Sequence, residues 1–318
     1  MIRCRHYLQW HIIHECNLHC VHCYQEDYHS RMPMETMRTV LDKYEAYIRA
    51  KDYEGQINLT GGEPLLHPDF FDIAAEIRRR GIRLGILTNG TLIDEEKAGA
   101  IAELAPVFVQ VSLDGSEKVH DGIRGTGNFR KALRGIDHLK AQGIRVLISF
   151  TVMQQNYKDM KRLAAVCAAH HVDKLWWDRV VTGDATQYLT TEQFREVSKC
   201  AAKLAGKYSF LSNSRALEWI PEEGCGYQCS AGKRLLILLA NGDMMACRRL
   251  PFVIGNIADV PELLPMLEAN GIMKKLAAPR FLKDCVSCKH FYKCEGGARC
   301  VTYAQTGRLD LKDVNCYL

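Results

Sequence analysis

Six short apolar runs rich in β-branched and aromatic residues alternate with longer stretches of helical periodicity over residues 1–181, and this alternation confines the chain to a parallel sheet. Residues 7–14, 56–60, 82–88, 107–113, 145–152 and 174–180 read as strands. Residues 34–50, 68–80, 94–104, 127–142 and 157–170 read as the helices between them. Polar punctuation follows the first four strands: a cysteine loop, Gly61-Gly62-Glu63-Pro64, Asn89-Gly90 and Asp114-Gly115. All four fall at carboxyl ends of strands, the edge where α/β barrels and open parallel sheets build their sites. Six βα units are fewer than the eight of a closed barrel.

The loop after the first strand, His14-Glu15-Cys16-Asn17-Leu18-His19-Cys20-Val21-His22-Cys23-Tyr24, packs three cysteines into eight residues. Thiolates this close can hold one metal centre, and soft ligands suit zinc or an iron-sulfur cluster. Structural zinc takes four ligands, as four-iron clusters usually do, so three thiolates suggest a cluster with one iron open to a small molecule. The C-x3-C-x2-C spacing of Cys16, Cys20 and Cys23, followed by the aromatic Tyr24, resembles the signature of the radical SAM superfamily. The resemblance implies a 4Fe-4S cluster whose fourth iron is chelated by S-adenosylmethionine, reductive cleavage to a 5′-deoxyadenosyl radical, and an open partial TIM barrel, (β/α)6, whose open side admits a large substrate.

Three further segments resemble family motifs. Gly61-Gly62-Glu63-Pro64 matches the GGEP motif that meets the cofactor's amino group; glycines let backbone approach a ligand and a carboxylate pairs with an ammonium. Val111-Ser112-Leu113-Asp114-Gly115 resembles the fourth-strand segment facing the ribose and methionine. His120-Asp121-Gly122-Ile123-Arg124-Gly125 resembles an HDxxRG segment whose arginine approaches the cofactor carboxylate, for which a guanidinium's paired donors are suited. The implied cofactor contacts are Tyr24, Gly61, Gly62, Glu63, Ser112, Asp114 and Arg124, with Thr88 and Asn89 at the end of the third strand. Asp114 reads equally as a turn-forming aspartate. Trp176 and Trp177 should face opposite sides of the sixth strand, Cys167 reads as a small buried hydrophobe, and Asp178 at that strand's end is a geometric candidate for a base.

Fourteen cysteines without a secretory signal read as metal ligands in a reducing compartment rather than as disulfides, so the protein is expected to be cytoplasmic. The net charge of +5 without a basic block does not imply nucleic acid, and no apolar run is long enough to span a membrane. Eight of the cysteines lie in residues 225–318, beyond a connector over 182–224 that carries one helix at 191–207. There Cys225-x3-Cys229, a strand at 235–239, an Asn241-Gly242 hairpin signal, Cys247, a helix at 261–276, Cys285-x2-Cys288-x5-Cys294, Cys300 and Cys316 follow in turn. Two four-thiolate sites, of zinc or of clusters, account for all eight and supply folding energy that so little apolar surface cannot.

This block resembles the SPASM extension of radical SAM enzymes. The resemblance assigns Cys225, Cys229, Cys247 and Cys300 to one auxiliary 4Fe-4S cluster and Cys285, Cys288, Cys294 and Cys316 to a second. Cys300 follows Cys294 by x5 where x3 is usual, and without it or Cys225 the first auxiliary cluster has an open iron. SPASM enzymes mostly modify peptides, through thioether or carbon-carbon cross-links or epimerisation. Sulfatase maturases carry an aspartate after the hairpin cysteine; here Arg248 and Arg249 follow Cys247, which argues against that activity and leaves an electropositive rim. Only fifteen residues precede Cys16, so a peptide substrate is presented by a separate carrier protein or recognised by the barrel itself. A flavodoxin or ferredoxin is the expected electron donor. The alternatives are a radical SAM enzyme acting on a small molecule or haem precursor, and a non-catalytic iron-sulfur or zinc protein.

Overall fold

The computed structural model describes residues 3–25, 27–211 and 229–317, and Cys225 lies outside them. Strands β1 (Arg5–Ile13), β2 (Glu54–Gly61), β3 (Arg83–Thr88), β4 (Phe108–Ser112), β5 (Val146–Val152) and β6 (Lys174–Arg179) pair in parallel, each with its predecessor. Helices α1 (Met34–Ala50), α2 (Phe70–Arg79), α3 (Glu95–Glu103), α5 (Asn128–Ala141) and α6 (Met160–Ala169) occupy the crossovers, as expected for the open (β/α)6 barrel. An additional short helix, α4 (Glu117–Arg124), precedes α5. It carries the whole HDxxRG segment except its final glycine, and a run this short has no helical period for a sequence reading to detect.

The sheet does not stop at the sixth strand. After α7 (Thr191–Ala205), strand β7 (Leu235–Leu238) returns to pair in parallel with β1, and β8 (Asp243–Met245) and β9 (Val253–Asn256) extend it antiparallel, giving the order β6-β5-β4-β3-β2-β1-β7-β8-β9. The cysteine-rich half is thus joined to the barrel through backbone hydrogen bonds on β1. The single helix expected over 261–276 is two, α8 (Leu263–Ala269) and α9 (Gly271–Ala277). Asn270 breaks it: extended at ψ 122°, it uses its side-chain oxygen to cap the amides of Ile272 and Met273. Helices α10 (Phe291–Cys294) and α11 (Arg299–Thr306) complete the chain.

Alternation along the strands separates two environments. Leu8, Trp10, Ile57, Leu59, Val109, Val111, Phe150 and Trp177 face outward and are buried with Met37, Leu41 and Tyr44 of α1 and Phe194 of α7. The inward positions are largely polar: Gln9, Asn58, Gln110, Ser112, Ser149, Thr151 and Trp176 line cavities. Branched apolar residues fill the interior of a closed eight-stranded barrel; here polar side chains and Gly85, where a Cβ would stand 2.4 Å from Asn58 Oδ1, leave the interior open. Among the described residues no helix is long and apolar enough to cross a membrane.

Candidate active site

The cysteine loop is held at its root by the Gly-Gly-Glu segment. Gly62 N–H donates to Ile13 O at 2.8 Å and Glu63 N–H to Glu15 O at 2.8 Å. A Cβ on Gly62 would lie 2.2 Å from Glu15 O and 2.5 Å from His14 O, so only glycine lets the two loops press together. Both glycines were expected to let backbone come close to a ligand; both line the cavity beside the cysteine loop, and Gly62 packs on the backbone of that loop.

Glu63 packs inward next to them. It is fully buried and absent from the cavity wall that Thr60, Gly61 and Gly62 form. Its Oε1 accepts from Thr88 Oγ1 at 2.8 Å and Leu65 N–H at 3.3 Å, and Oε2 accepts from Asn89 N–H at 2.8 Å. Burial pushes its pKa up to about 7 against these three donors. The carboxylate therefore ties the β2 loop to the end of β3.

His14 fastens the loop on its other side. Its Nδ1 lies 3.0 Å from Asp27 Oδ2, while Ala240 N–H at the β7–β8 turn donates to Nε2 at 3.4 Å. That pair of partners fixes the tautomer with the proton on Nδ1 and links the cysteine loop to the C-terminal hairpin.

Cys16, Cys20 and Cys23 open onto one cavity of about 240 Å³ with Thr60, Ser112 and Arg124 at the carboxyl edge of the sheet. Burial pushes the Cys16 thiol up to about 11. Arg124 carries the opposing charge: its Nη1 lies 3.5 Å from Cys20 Sγ and its Nη2 3.4 Å from His22 Nε2. Its Nε donates to Asp114 Oδ2 at 2.6 Å.

Asp114 is fully buried and is not among the residues lining the cavity. Its Oδ1 accepts from Thr151 N–H at 2.9 Å. Burial alone would raise its pKa; Arg124 and then His22 outweigh it and hold the carboxyl below its usual range. It anchors Arg124. Asp121 of the same motif is a cap, accepting from Gly127 N–H at 2.7 Å and Phe129 N–H at 2.8 Å at the start of α5.

Tyr24, Gln9, Leu87, Gln110 and Arg249 line both this cavity and a larger one of about 630 Å³. The guanidinium of Arg248 stacks 4.5 Å from the Tyr24 ring centre and donates to Tyr24 O at 3.3 Å. On the far wall of the larger cavity stand Cys229, Cys247 and Cys300. Cys300 joins this group despite its unusual spacing, and burial pushes its thiol up to about 12. Asp178, weighed as a base, lies on the wall of the larger cavity in an ion pair with Arg249 at 2.9 Å.

Cys285, Cys288, Cys294 and Cys316 line a third cavity of about 240 Å³. Asp313, also on its wall, receives Arg179 through Nη1 at 2.8 Å and Nη2 at 2.6 Å, and Ala298 N–H at 2.8 Å. Neither this pair nor Arg249 could be assigned a partner from sequence: Arg179 and Asp313 stand 134 residues apart, with no local pattern relating them. His22 is different, since its place between two cysteines of the loop was a signal.

Among the described residues no three His, Cys, Asp or Glu side chains converge tightly enough to chelate a single ion. The donor set is all sulfur in each group, which fits iron-sulfur ligation.

Residues 10–167 match the model of the Radical SAM superfamily. Mycofactocin maturase MftC of Mycobacterium tuberculosis is 29% identical over 97% of this chain and 82% of its own length. AdoMet-dependent heme synthase of Methanosarcina barkeri is 30% identical over 94% of this chain and 93% of its own. Streptococcus suis SuiB, solved bound to S-adenosylmethionine, superimposes with a TM-score of 0.76 at 17% identity, covering 100% of this chain and 78% of SuiB. SuiB bound to precursor peptide SuiA gives 0.75 at 16%, covering 100% and 77%.

Proposed function

This chain belongs to the radical SAM superfamily, and on that premise we propose that it abstracts hydrogen from a peptide substrate to form a cross-link or an epimer. The observation carrying this reading is the pair of cavities that share Tyr24, Gln9, Gln110 and Arg249: one at the cysteine loop, the other, of about 630 Å³, opening beside it as room for a substrate. Likeness to a maturase over nearly the whole chain supports it. So does the fold shared with SuiB, which has been solved with a precursor peptide.

In this reading Cys16, Cys20 and Cys23 hold a 4Fe-4S cluster, which when bound supplies the electron that cleaves S-adenosylmethionine. Arg124 offsets the charge of the thiolate set and is held in place by Asp114, and from the cavity wall its guanidinium can receive a carboxylate. The backbone of Gly61 and Gly62, Ser112 and Tyr24 complete the cofactor wall. Cys229, Cys247 and Cys300, with Cys225 as the fourth candidate, hold one auxiliary cluster, and Cys285, Cys288, Cys294 and Cys316 the other. A small acidic electron donor such as flavodoxin or ferredoxin reduces the enzyme, and a carrier protein or the barrel itself presents the peptide.

Anaerobic reconstitution tests this directly. About twelve irons per chain are expected, four from each cluster, with reductive release of 5′-deoxyadenosine and a mass change in a candidate precursor peptide. Bound zinc without cleavage would contradict the catalytic reading. A second reading, a tetrapyrrole substrate, is supported by the similarity to the heme synthase over almost the full length of both chains; turnover of a porphyrin in place of every peptide offered would select it.

A further inference from the structure

The larger cavity is far more basic than the chain enclosing it. Among the described residues, seven of those lining it are Lys or Arg and one, Asp178, is acidic, whereas the whole chain has 42 basic and 37 acidic side chains. Arg249 is paired with Asp178 and Arg299 with the carbonyls of Leu276 and Ala278. Four others gather at the end of the barrel away from the cysteine loop. Arg5, Arg83 and Lys174 open β1, β3 and β6, and Arg145 immediately precedes β5.

Among the described residues its three arginines have one carboxylate between them, and Lys174 lies 5.1 Å from the Trp176 ring centre. Arg5 and Arg83 share one carboxylate, Glu54, at 2.6 and 3.4 Å. Among the described residues neither Arg145 nor Arg248 has a carboxylate within ion-pair distance. Between the floor and the wall common to both cavities lie neutral amides: Gln56 Nε2 donates to Asn58 Oδ1 at 2.9 Å, and Gln9 and Gln110 continue upward. Four strand residues separate Arg5 from Gln9, about 13 Å.

Cations gathered in a cleft with low-dielectric walls repel one another and focus a positive potential on whatever enters. Guanidinium forks match carboxylates in particular. We propose that the floor formed by Arg5, Arg83, Arg145 and Lys174 is a carboxylate-binding subsite, so that the substrate carries two or more carboxylates on the order of 13 Å from its reacting carbon. The proposal rests on the reading that the larger cavity receives the substrate. Acidic side chains of an extended peptide and the carboxylate arms of a tetrapyrrole present the same chemistry at that distance, and the floor recognises the chemistry.

Two probe pairs test it on the anaerobically reconstituted full-length enzyme: a hexapeptide with two glutamates against its glutamine counterpart, and a porphyrin with four propionate arms against its methyl ester. In equilibrium binding, the acid of at least one pair should bind about tenfold or more tighter than its neutral partner, and added salt should erode the advantage. Arg83→Gln/Lys174→Gln should remove most of it, and Arg145→Gln, at an exposed position, should reduce it without disturbing packing. The pair that responds identifies the source of the carboxylates. Equal binding of acid and neutral forms in both pairs, or an advantage that survives in both variants, overturns the proposal. Release of 5′-deoxyadenosine by the wild-type enzyme is read separately: its absence with carboxylate selectivity intact would sink the radical reading and leave the subsite standing.

Discussion

Glu63 shows how burial reshapes one side chain of a motif. Its carboxyl accepts from three internal donors, and its pKa of about 7 in the fold stands above its ordinary value of 4.5. Below about pH 4.5 the group is protonated in both states and adds no difference. As pH rises through 7 the folded state must ionise a buried carboxyl, and stability is lost relative to the unfolded chain. Glu63→Gln, which cannot ionise, is therefore expected to gain thermal stability on the wild type between pH 5 and pH 8, by up to about 3 kcal/mol. Melting curves that stay parallel over that range would show that the carboxylate is fully compensated. Asp114 works with the opposite sign. Asp114→Asn leaves the buried guanidinium of Arg124 without its counter-charge, a change that typically costs about 3–5 kcal/mol. It should also lower the yield of S-adenosylmethionine cleavage at unchanged iron content, measured as 5′-deoxyadenosine per cluster; an unaffected yield would make Asp114 a packing residue only.

At the scale of elements, the decisive contact is between two loops. Because a Cβ on Gly62 would meet two carbonyl oxygens of the cysteine loop, Gly62→Ala must push that loop off the end of β2. The expected outcome is a folded protein, by circular dichroism, that has lost about a third of its iron, with the deficit at the Cys16–Cys23 site. The sequence made this contact half legible. The glycines and their place at a strand end stood out, and so did the six parallel strands, whose outward faces are continuous apolar runs. What they press against did not, because backbone carbonyls leave no trace in residue types. For the same reason β7 read as half of an isolated hairpin: its parallel partner β1 lies more than two hundred residues earlier, and nothing in Leu235–Leu238 encodes that neighbour. The unusual x5 gap before Cys300 does not keep it away from Cys229 and Cys247. Helix α11 begins at Arg299, whose guanidinium donates to Leu276 O at 2.6 Å, and this anchorage delivers Cys300 to Cys229 and Cys247 whatever the spacing.

Across the whole molecule, the end of β6 is where the barrel grips both cysteine-rich sites. Successive residues do this on opposite faces: Asp178 takes Arg249 beside Cys247, and Arg179 takes Asp313, three residues before Cys316. The second pair is bidentate and buried, with the Arg179 guanidinium stacked 4.2 Å from the Phe194 ring centre on α7. Removing one partner strands a charge, so Arg179→Met alone should cost about 3–5 kcal/mol and loosen the Cys285–Cys316 site, seen as a loss of up to about four irons per chain. Replacing both, Arg179→Met with Asp313→Leu, removes the stranded charge, and pairs of this kind are often neutral when exchanged for apolar groups. Full recovery is not expected here, because Asp313 also accepts the amides of Ala298 and Asn315, which the leucine would leave unmet. The double variant should therefore fall between the single variant and the wild type in both melting temperature and iron content. If the single variant already matches the wild type, the two halves are held by the β1–β7 ladder alone and β6 is a bystander.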